Sequence, residues 1–227
     1  MVQFHQSYAY EDFVQGWRPT ETGGFQRSDG IFHRFCTEAL RRHTERFVFI
    51  IDEINRGNLS KIFGELMMLI EPDKRVIRYA MPLTYYKSTD GRFFVPRNVY
   101  LIGLMNTADR SLAMVDYALR RRFVFFDLEP AFEAKGFSDL LESRGASHEL
   151  IERIRLRMRS LNDEIAKNPH LGRGFRIGHS YFCPGEQTVP DEAWYRAVVL
   201  SEIALLIEEY WSDQSELAKT LFRELFG

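Results

Sequence analysis

The sequence predicts an α/β protein in which a parallel-sheet core is followed by a smaller helical domain. Residues 47–51 and 99–104 are short runs rich in β-branched and aromatic side chains, as strands buried on both faces of a parallel sheet are. After Glu129-Pro130 the apolar residues recur at helical spacing instead. A chain of 227 residues is long enough for one core and one small domain, and we expect these at 1–130 and 131–227.

The core region is expected to alternate strands with helices. Its expected elements are, in chain order, a short strand at 2–5, a helix capped by Asp29 with an apolar face over 31–40, the strand at 47–51, a helix capped by Asn58 that ends at Glu71-Pro72, a hairpin over 76–97 that turns at Asp90-Gly91, the strand at 99–104, a polar-to-helical stretch over 106–121, and a strand at 122–126. Three apolar series predict helices in the second region: Leu150, Ile154, Met158, Leu161 and Ile165; then Trp194, Val198, Ala204, Leu205 and Tyr210; then Leu217, Leu221 and Leu225.

Composition limits the classes of function. A net charge of -2 gives no global attraction to nucleic acid or to an anionic membrane, so DNA contact is expected only through a local patch or another chain. The two cysteines, Cys36 and Cys183, lie far apart and match no metal or redox spacing, which predicts idle thiols in a reducing cytoplasm. No apolar run approaches the roughly 20 residues that cross a bilayer, and no signal-peptide pattern opens the chain.

Two adjacent carboxylates end the first buried run. In the segment FVFIIDEINRGN, residues 47–58, Asp52 and Glu53 directly follow the strand. Open α/β sheets bind ligands at the carboxyl ends of their strands. Asp52 could hold Mg²⁺ there, and Glu53 could polarise a water for attack on a phosphoryl group. The alternative is two acids that only begin a surface turn, because any strand can end in this pair.

The second buried run also ends in polar residues. In VYLIGLMNTADRS, residues 99–111, the strand is followed by Asn106. A neutral amide at a strand end could orient a water or touch a γ-phosphate. The alternative is an Asx turn, in which Asn106 or Asp109 caps the following helix.

Three arginines precede the last expected strand, in DYALRRRF at residues 116–123. The fixed fork of an arginine side chain suits the oxygens of a phosphoryl transition state. The alternative is a basic turn in solvent.

The three segments stand in the order and at the spacing of Walker B, sensor 1 and the arginine-finger region of an AAA+ ATPase core. Four stretches resemble the McrB family, the motor subunits of modification-dependent restriction systems, more closely still: VQFHQSYAYEDF, DEINRGNLSKIFGELMMLIE, NVYLIGLMNTADRSLAMVDYALRRRF and GFRIGHSYF. The resemblance runs from Val2 to about Tyr210. It implies an AAA+ core, with a parallel sheet of the P-loop NTPase type, followed by a helical lid.

The resemblance implies a role for each matched core position. Asp52 and Glu53 would be the Walker B pair, with Asp52 at Mg²⁺ and Glu53 as the base that activates water. Asn106 would be sensor 1. Arg121 and Arg122 would reach the nucleotide of a neighbouring subunit, or lock the interface that lets one do so.

Further positions would complete the nucleotide site. Arg56 follows Walker B and would approach phosphate. Arg176 and His179 lie in GFRIGHSYF, in the lid, where a sensor 2 group would be sought. Arg173 competes for that role.

The activity that the resemblance implies is Mg²⁺-dependent hydrolysis of GTP, or of ATP as in most AAA+ relatives. A hexameric homo-oligomeric ring in the cytoplasm would use it to translocate DNA, which a McrC-like nuclease subunit would cut. DNA would be held through the complex rather than by this chain, and no membrane is involved. GTP rests on the resemblance alone: Asn106 to Asp109 is similar to the N-K-x-D guanine reader, but a sensor 1 strand end lies near the γ-phosphate rather than the base.

The phosphate-binding loop that this activity needs does not occur in the 227 residues, which contain no G-x-x-x-x-G-K-[ST] string. In the family this loop follows the first core strand, which is central in a sheet of order 5-1-4-3-2, and this sequence starts at what would be the second strand. We therefore expect impaired hydrolysis by this polypeptide alone, and an empty slot between the strands at 99–104 and 122–126. A gene fragment, a misassigned start and one piece of a split protein all agree with this expectation.

Two other functions agree with the same motifs. One is an ATP-driven remodeller of the MoxR or dynein-related type. The other is a non-catalytic ring subunit that docks beside P-loop-containing subunits and lends Arg121 or Arg122 to a competent neighbour.

Overall fold

The structure, a computed structural model, describes residues 1–108 and 120–226. The chain divides into two compact units, Met1–Phe125 and Phe126–Gly227. Each unit has a hydrophobic core of its own. An α/β first unit precedes a helical second unit, as the fold class predicted from the sequence requires.

The first unit is built around a parallel sheet. Its elements are β1 (Val2–Gln3), α1 (Tyr10–Phe13), β2 (Gln15–Pro19), β3 (Phe25–Asp29), α2 (Ile31–Arg41), β4 (Phe47–Asp52), a 3₁₀ turn (Ile54–Arg56), α3 (Leu59–Phe63), α4 (Leu66–Leu69), two further 3₁₀ turns (Pro72–Lys74 and Ile77–Tyr79) and β5 (Val99–Gly103). The strands β1, β4 and β5 lie in that order and are all parallel. The predicted strands at 2–5, 47–51 and 99–104 are therefore confirmed, and β4 lies between the other two.

One face of this sheet is packed and the other is open. Phe49 and Ile51 point into the core of the unit, at 2% and 0% exposure. Val48, Tyr100 and Ile102 alternate with the buried positions and are 45–49% exposed. The expectation that these strands are buried on both faces is thus wrong for the described residues. Side chains of one face pack into the core, whereas apolar side chains of the other face have no described element packed over them.

One of the two predicted helix caps in the first unit is confirmed and the other is wrong. Asn58 caps α3 as expected, since its Oδ1 accepts the backbone N–H of Lys61 at 3.0 Å. Asp29 does not cap α2; Gly30 occupies that position. The reason is that Asp29 is the last residue of β3, where it lies opposite Gln15.

The hairpins are the main departure from expectation. The antiparallel pair β2–β3 was not predicted, although Gly23 and Gly24 in its turn, both with positive φ, were a signal for it. The predicted hairpin over 76–97 is wrong: the described segment holds one 3₁₀ turn (Ile77–Tyr79) and a single antiparallel bridge between Met81 and Phe93. Pro82 and Pro96 have no backbone N–H to donate to a ladder, and polar residues separate the apolar positions between them.

The predicted strand at 122–126 is also wrong. Residues 124–130 have no regular secondary structure, and Val124 and Phe126 are 79% and 83% exposed. An apolar run becomes a strand only when a neighbour accepts its backbone hydrogen bonds, and in the described structure no strand pairs with it. Of the stretch expected to be polar-to-helical over 106–121, residues 109–119 lie outside the described residues.

The second unit is helical. Its elements are α5 (Lys135–Ser143), α6 (His148–Lys167), 3₁₀ turns at Arg173–Phe175 and His179–Phe182, α7 (Glu192–Val198), a π-helical turn (Val199–Ile203), α8 (Ala204–Tyr210) and α9 (Ser215–Phe226). The apolar series on α6 is confirmed, since all five of its members are buried. In the last helix Leu221 and Leu225 are buried as expected, while Leu217 is 41% exposed.

Candidate functional site

The ends of β4 and β5 form one edge of the parallel sheet. Beyond the last paired residues, the backbone N–H of Leu104 donates to the carbonyl of Ile51 at 2.8 Å, and that of Ile54 donates to the carbonyl of Leu104 at 3.0 Å. These two bonds carry the strand pairing past Asp52. The carboxylates of Asp52 and Glu53 and the amide of Asn106, two residues after Leu104, therefore follow the carboxyl ends of adjacent parallel strands, where such sheets bind ligands.

Glu53 is held in a strained conformation. Its φ of 50° and ψ of 45° make it the one non-glycine residue with positive φ in the described part of the chain. Such a conformation costs on the order of 1–3 kcal/mol and clusters at functional sites. The backbone N–H of Glu53 donates to Oδ1 of Asp52 at 3.1 Å, so the first carboxylate fixes the backbone that presents the second.

The Glu53 carboxylate forms an ion pair within its own turn. Its Oε2 lies 3.1 Å from Nε of Arg56, and the two side chains are 20% and 43% exposed. Arg56, expected to approach phosphate, thus lies beside the expected base.

The 3₁₀ turn after β4 is fixed by packing against β5. Ile54 is buried, and a Cβ on Gly103 would meet the Ile54 side chain at 2.7 Å. The next residue, Asn55, has a buried Oδ1 that accepts no hydrogen bond from any described group. A buried acceptor without a partner is uncommon. Asn55 is a polar group at this edge that the motif analysis missed, although it stands two residues after Glu53.

Asn106 forms an Asx turn, which was the alternative interpretation of this residue. Its Oδ1 accepts the backbone N–H of Ala108 at 3.0 Å, and its side chain is exposed. This Asx turn leaves the amide N–H₂ group available at the strand end. Asp109, the other candidate for the cap, lies outside the described residues.

The two expected finger arginines differ in their surroundings. Arg122 forms an ion pair with Glu71, at 2.6 Å between its Nη2 and Oε1, and both side chains are largely covered, at 19% and 31% exposure. Arg121 is exposed. The ion pair between Arg122 and Glu71 holds the turn that carries Arg121 and Arg122 against the residues that follow α4.

The expected sensor 2 residues lie in the second unit. Arg176 binds the Glu129 carboxylate at 2.7 Å, and the hydrogen bond with Glu129 raises the pKa of the guanidinium. Nδ1 of His179 accepts the backbone N–H of Ala131 at 3.1 Å, so its other nitrogen carries the proton when the ring is neutral. Arg173, the competing candidate, is exposed.

The donors at the sheet edge suit a magnesium ion shared with phosphate. No group of three or more histidine, cysteine or acidic side chains among the described residues could enclose a metal. Mg²⁺ typically takes only one or two protein carboxylates and completes its shell with water and substrate phosphates. The Asp52 carboxylate and the unpartnered amide oxygen of Asn55 are oxygen donors of the kind this ion accepts.

A parallel sheet with two carboxylates and an amide at one edge is typical of α/β proteins that bind ligands at the ends of their strands, and comparison with known families identifies the family. Residues 1–123 match the family model of the AAA domain (dynein-related subfamily), so the chain belongs to this AAA family. Residues 153–219 match a second model, the alpha-helical lid domain of McrB. The predicted resemblance and fold class are thereby confirmed.

Two curated proteins are similar to the chain. The whole chain is 53% identical, over 230 residues, to the type IV methyl-directed restriction enzyme EcoKMcrB subunit of Escherichia coli (strain K12), of which it covers 50%. It is 28% identical over 114 residues to the type II restriction enzyme BsuMI component YdiS of Bacillus subtilis (strain 168), covering 46% of this chain and 33% of that protein. The chain thus spans half or less of the length of these relatives.

The described helices include none that is long and apolar enough to cross a membrane.

Proposed function

We propose that this chain forms the Walker B to lid part of an McrB-like AAA+ module that hydrolyses the β–γ bond of GTP or ATP. The observation that carries the proposal is the sheet edge: Asp52 and Glu53 end β4, and Asn106 follows the adjacent parallel strand. The two family models support the same assignment, since one covers the sheet and the other the lid.

Each residue at this edge has a distinct task in the proposed reaction. Glu53 accepts a proton from the attacking water, and its fixed backbone aims the carboxylate. The Asn106 amide orients that water or contacts the γ-phosphate. Asp52 would hold Mg²⁺, which when bound neutralises charge on the phosphate oxygens. Arg56 is positioned to release Glu53 and contact phosphate instead.

Arg121 is the residue that we assign to a neighbouring subunit's nucleotide. It is exposed, whereas Arg122 is largely covered and pairs with Glu71. Arg122 accordingly positions the turn from which Arg121 projects. An arginine supplied in trans is worth about 10³–10⁵ in rate, which would make hydrolysis depend on assembly into a ring.

The wider assembly is inferred from the relatives. Both similar proteins are parts of restriction enzymes by their names, which supports a role in DNA restriction. The ring, the translocation of DNA and the McrC-like nuclease subunit belong to the proposal and rest on the resemblance to the McrB family. The phosphate-binding loop is needed for that activity, and no such motif lies in these 227 residues. Arg176 and His179 would contact the nucleotide from the lid.

The test uses a protein in which a P-loop segment precedes these residues. Glu53→Gln should reduce steady-state hydrolysis of GTP and ATP by about 10²–10⁴, the usual contribution of a general base, while leaving nucleotide binding intact. Glu38→Gln, a half-exposed acid on α2 that lies away from the sheet edge, is the matched control. Mixed rings of Glu53→Gln and Arg121→Ala subunits should recover activity that neither has alone. Wild-type turnover in Glu53→Gln would refute the proposal.

A non-catalytic ring subunit is the second candidate function. It is favoured by the exposed Arg121. Such a subunit would stimulate hydrolysis by P-loop-containing partners through Arg121 even when its own Glu53 is replaced. An ATP-driven remodeller of the dynein-related type is favoured only by the first family model, and the match to the McrB lid supports restriction instead.

A further inference from the structure

The turn that carries Arg121 and Arg122 is attached to the first unit directly after Arg121. Arg122 forms its ion pair with Glu71, and Phe123 packs against the hydrophobic core of the unit. The next residue, Val124, is exposed. The attachment nearest to Arg121 thus involves the carboxylate of Glu71, a residue to which the proposed function gives no task.

Glu71 has a fixed backbone from which to hold this turn. Its N–H donates to the carbonyl of Met68 at 3.2 Å, and its carbonyl accepts the N–H of Lys74 at 3.0 Å. The following Pro72 restricts Glu71 to extended conformations, and its φ of -64° and ψ of 136° lie in that region. The preceding Ile70 is buried at 1% exposure. The Glu71 side chain therefore begins at a well-defined point.

Arg75 connects the same segment to the parallel sheet. Its Nε donates to the carbonyl of Ile70 at 2.8 Å, and its Nη1 donates to the carbonyl of Val99 at 2.7 Å. Val99 is the first residue of β5, which pairs with β4. The position of Glu71 is thus set by the sheet whose carboxyl edge carries the proposed hydrolytic residues.

The ion pair between Glu71 and Arg122 is partly covered. The two side chains are 31% and 19% exposed, whereas Asp73, which pairs with Lys74 in the same segment, is 66% exposed. Water and salt screen a covered pair less than an exposed one, and exposed pairs contribute little to stability. Loss of the Glu71 carboxylate should therefore loosen the arginine turn, while loss of the Asp73 carboxylate should not.

We propose that Glu71 is a positioning residue for the arginine finger: by holding Arg122, it fixes the turn from which Arg121 reaches the nucleotide of a neighbouring subunit. This inference rests on the proposed function. A displacement of about 1 Å in a group that must meet a transition state can cost on the order of 10² in rate. Glu71 acts in the subunit that supplies the arginine, so the carboxylate of one subunit controls turnover in the next.

The experiment uses mixed rings of the protein in which a P-loop segment precedes these residues. Glu53→Gln subunits supply Arg121 but do not hydrolyse nucleotide, and Arg121→Ala subunits hydrolyse but supply no finger. Glu71→Ala, added to the Glu53→Gln subunits, should lower the kcat of the mixture about 10–100-fold and leave KM for the nucleotide unchanged. Added to the Arg121→Ala subunits instead, it should leave kcat unchanged as well.

The subunit in which the effect occurs separates a positioning role from a general structural role. An equal loss of kcat in both arrangements would overturn the inference. A gain in kcat would also overturn it, because it would show that Arg122 is the finger and that Glu71 restrains it. Asp73→Asn should leave both mixtures unchanged. If Glu53→Gln and Arg121→Ala subunits recover no activity together, the proposed function is refuted, and this inference with it.

A second measurement needs no nucleotide and uses the 227-residue chain. Trypsin cleaves after an arginine when the local segment opens, at a rate that follows the population of the open form. Cleavage after Arg121 and Arg122, followed by mass spectrometry, should be about fivefold faster or more in Glu71→Ala, the factor that the upper range for exposed ion pairs implies, and unchanged in Asp73→Asn. Thermal unfolding checks that Glu71→Ala is folded; Glu71→Gln replaces it if it is not. An unchanged cleavage rate in the folded variant would contradict the positioning role.

Discussion

Asn162 shows how one side chain positions a candidate site in the second unit. It is 7% exposed on α6, where a polar residue would normally face solvent. Its Oδ1 accepts the backbone N–H of Ile177 at 2.6 Å, and its Nδ2 donates to the carbonyl of the same residue at 3.0 Å. The Asn162 amide therefore helps to fix the segment that carries Arg176 and His179 to the helix.

Replacing Asn162 with leucine should destabilise the protein by about 2–4 kcal/mol. Two buried backbone groups of Ile177 would lose their partners, at roughly 1–3 kcal/mol each, because leucine branches at the same atom but offers neither a donor nor an acceptor. Urea unfolding followed by circular dichroism measures the change. Asp163→Asn, at the exposed neighbouring position, should shift the free energy of unfolding by less than about 0.5 kcal/mol. Similar values for the two variants would contradict the inferred role of the amide.

His33 couples the stability of the first unit to pH. Burial lowers the pKa of this imidazole below its ordinary value, and the positive charges of Arg27 and Arg34 act in the same direction. The carboxylates of Asp29 and Asp90 oppose the shift without cancelling it. The folded state therefore favours the neutral ring.

The free energy of unfolding should fall as the pH is lowered from about 7 to 5. The unfolded chain binds a proton at His33 near pH 6.5, and the folded chain binds it only at lower pH. The stabilisation is thus complete above about pH 6.5 and is lost as the pH falls through the folded pKa. Chemical denaturation at both pH values should show a smaller difference in His33→Gln than in the parent. His43→Gln, at an exposed position, should behave as the parent does; an unchanged pH dependence in His33→Gln would count against the coupling.

At the residue scale, the sequence predicts which polar residues lie at the end of each strand, but not which side chains form ion pairs or hydrogen bonds with each other. Asp52, Glu53 and Asn106 could be placed at one edge because strand periodicity and parallel pairing fix it. Arg122 pairs with Glu71, which is distant in the sequence, and the unpartnered Oδ1 of Asn55 depends on how the neighbouring Ile54 packs. Neither is a local property, so neither could be predicted from the sequence.

At the scale of elements, Gly64 breaks one predicted helix into two. The apolar stripe that begins after Asn58 was expected to form a single helix, but α3 ends at Gly64, which has φ 49° and ψ -128°. A Cβ at this position would meet the Tyr10 ring at 2.9 Å. The break lets Glu65 accept the Tyr10 hydroxyl at 2.5 Å and the backbone N–H of Thr84 at 2.7 Å, which joins three segments.

Gly64→Ala should destabilise the first unit by about 1–3 kcal/mol, because the backbone conformation is unfavourable for a side chain and the Tyr10 ring must move. Gly91→Ala is the matched control, since a Cβ added at Gly91 would meet no atom within 4 Å and its φ is not positive. Thermal unfolding of both variants compares them. If Gly91→Ala is as destabilising as Gly64→Ala, the strain at Gly64 is not the cause.

Elements that contain a regular series of apolar residues could be predicted from the sequence, whereas the short connections between them could not. The five-member series on α6 and the runs of β4 and β5 each occur where expected because burial fixes their period. The β2–β3 hairpin carries few apolar residues, and its pairing is supported by contacts such as that of Arg27 with Asp90, 63 residues away. Its existence depends on the fold around it.

At the scale of the whole molecule, the apolar surface of the first unit is unevenly covered. The open face of the sheet presents Tyr100 and Ile102, with Leu104 41% exposed beside them, and Val124, after Arg122, is 79% exposed. The outer edge of β5 pairs with no strand of the described structure. Exposed apolar side chains on a sheet face and a free strand edge both favour association with another chain.

We therefore expect the 227-residue chain to self-associate, and Ile102→Lys to reduce that association. Burying an isoleucine contributes about 1.5–3 kcal/mol, so a lysine there should raise the dissociation constant about tenfold or more. Sedimentation velocity over a range of protein concentrations measures the monomer fraction. Leu156→Lys changes a single leucine that is 63% exposed on α6 and should leave association unchanged. A parent chain that stays monomeric at high concentration and unfolds in one cooperative transition would show that the open face and the free edge are tolerated in solution.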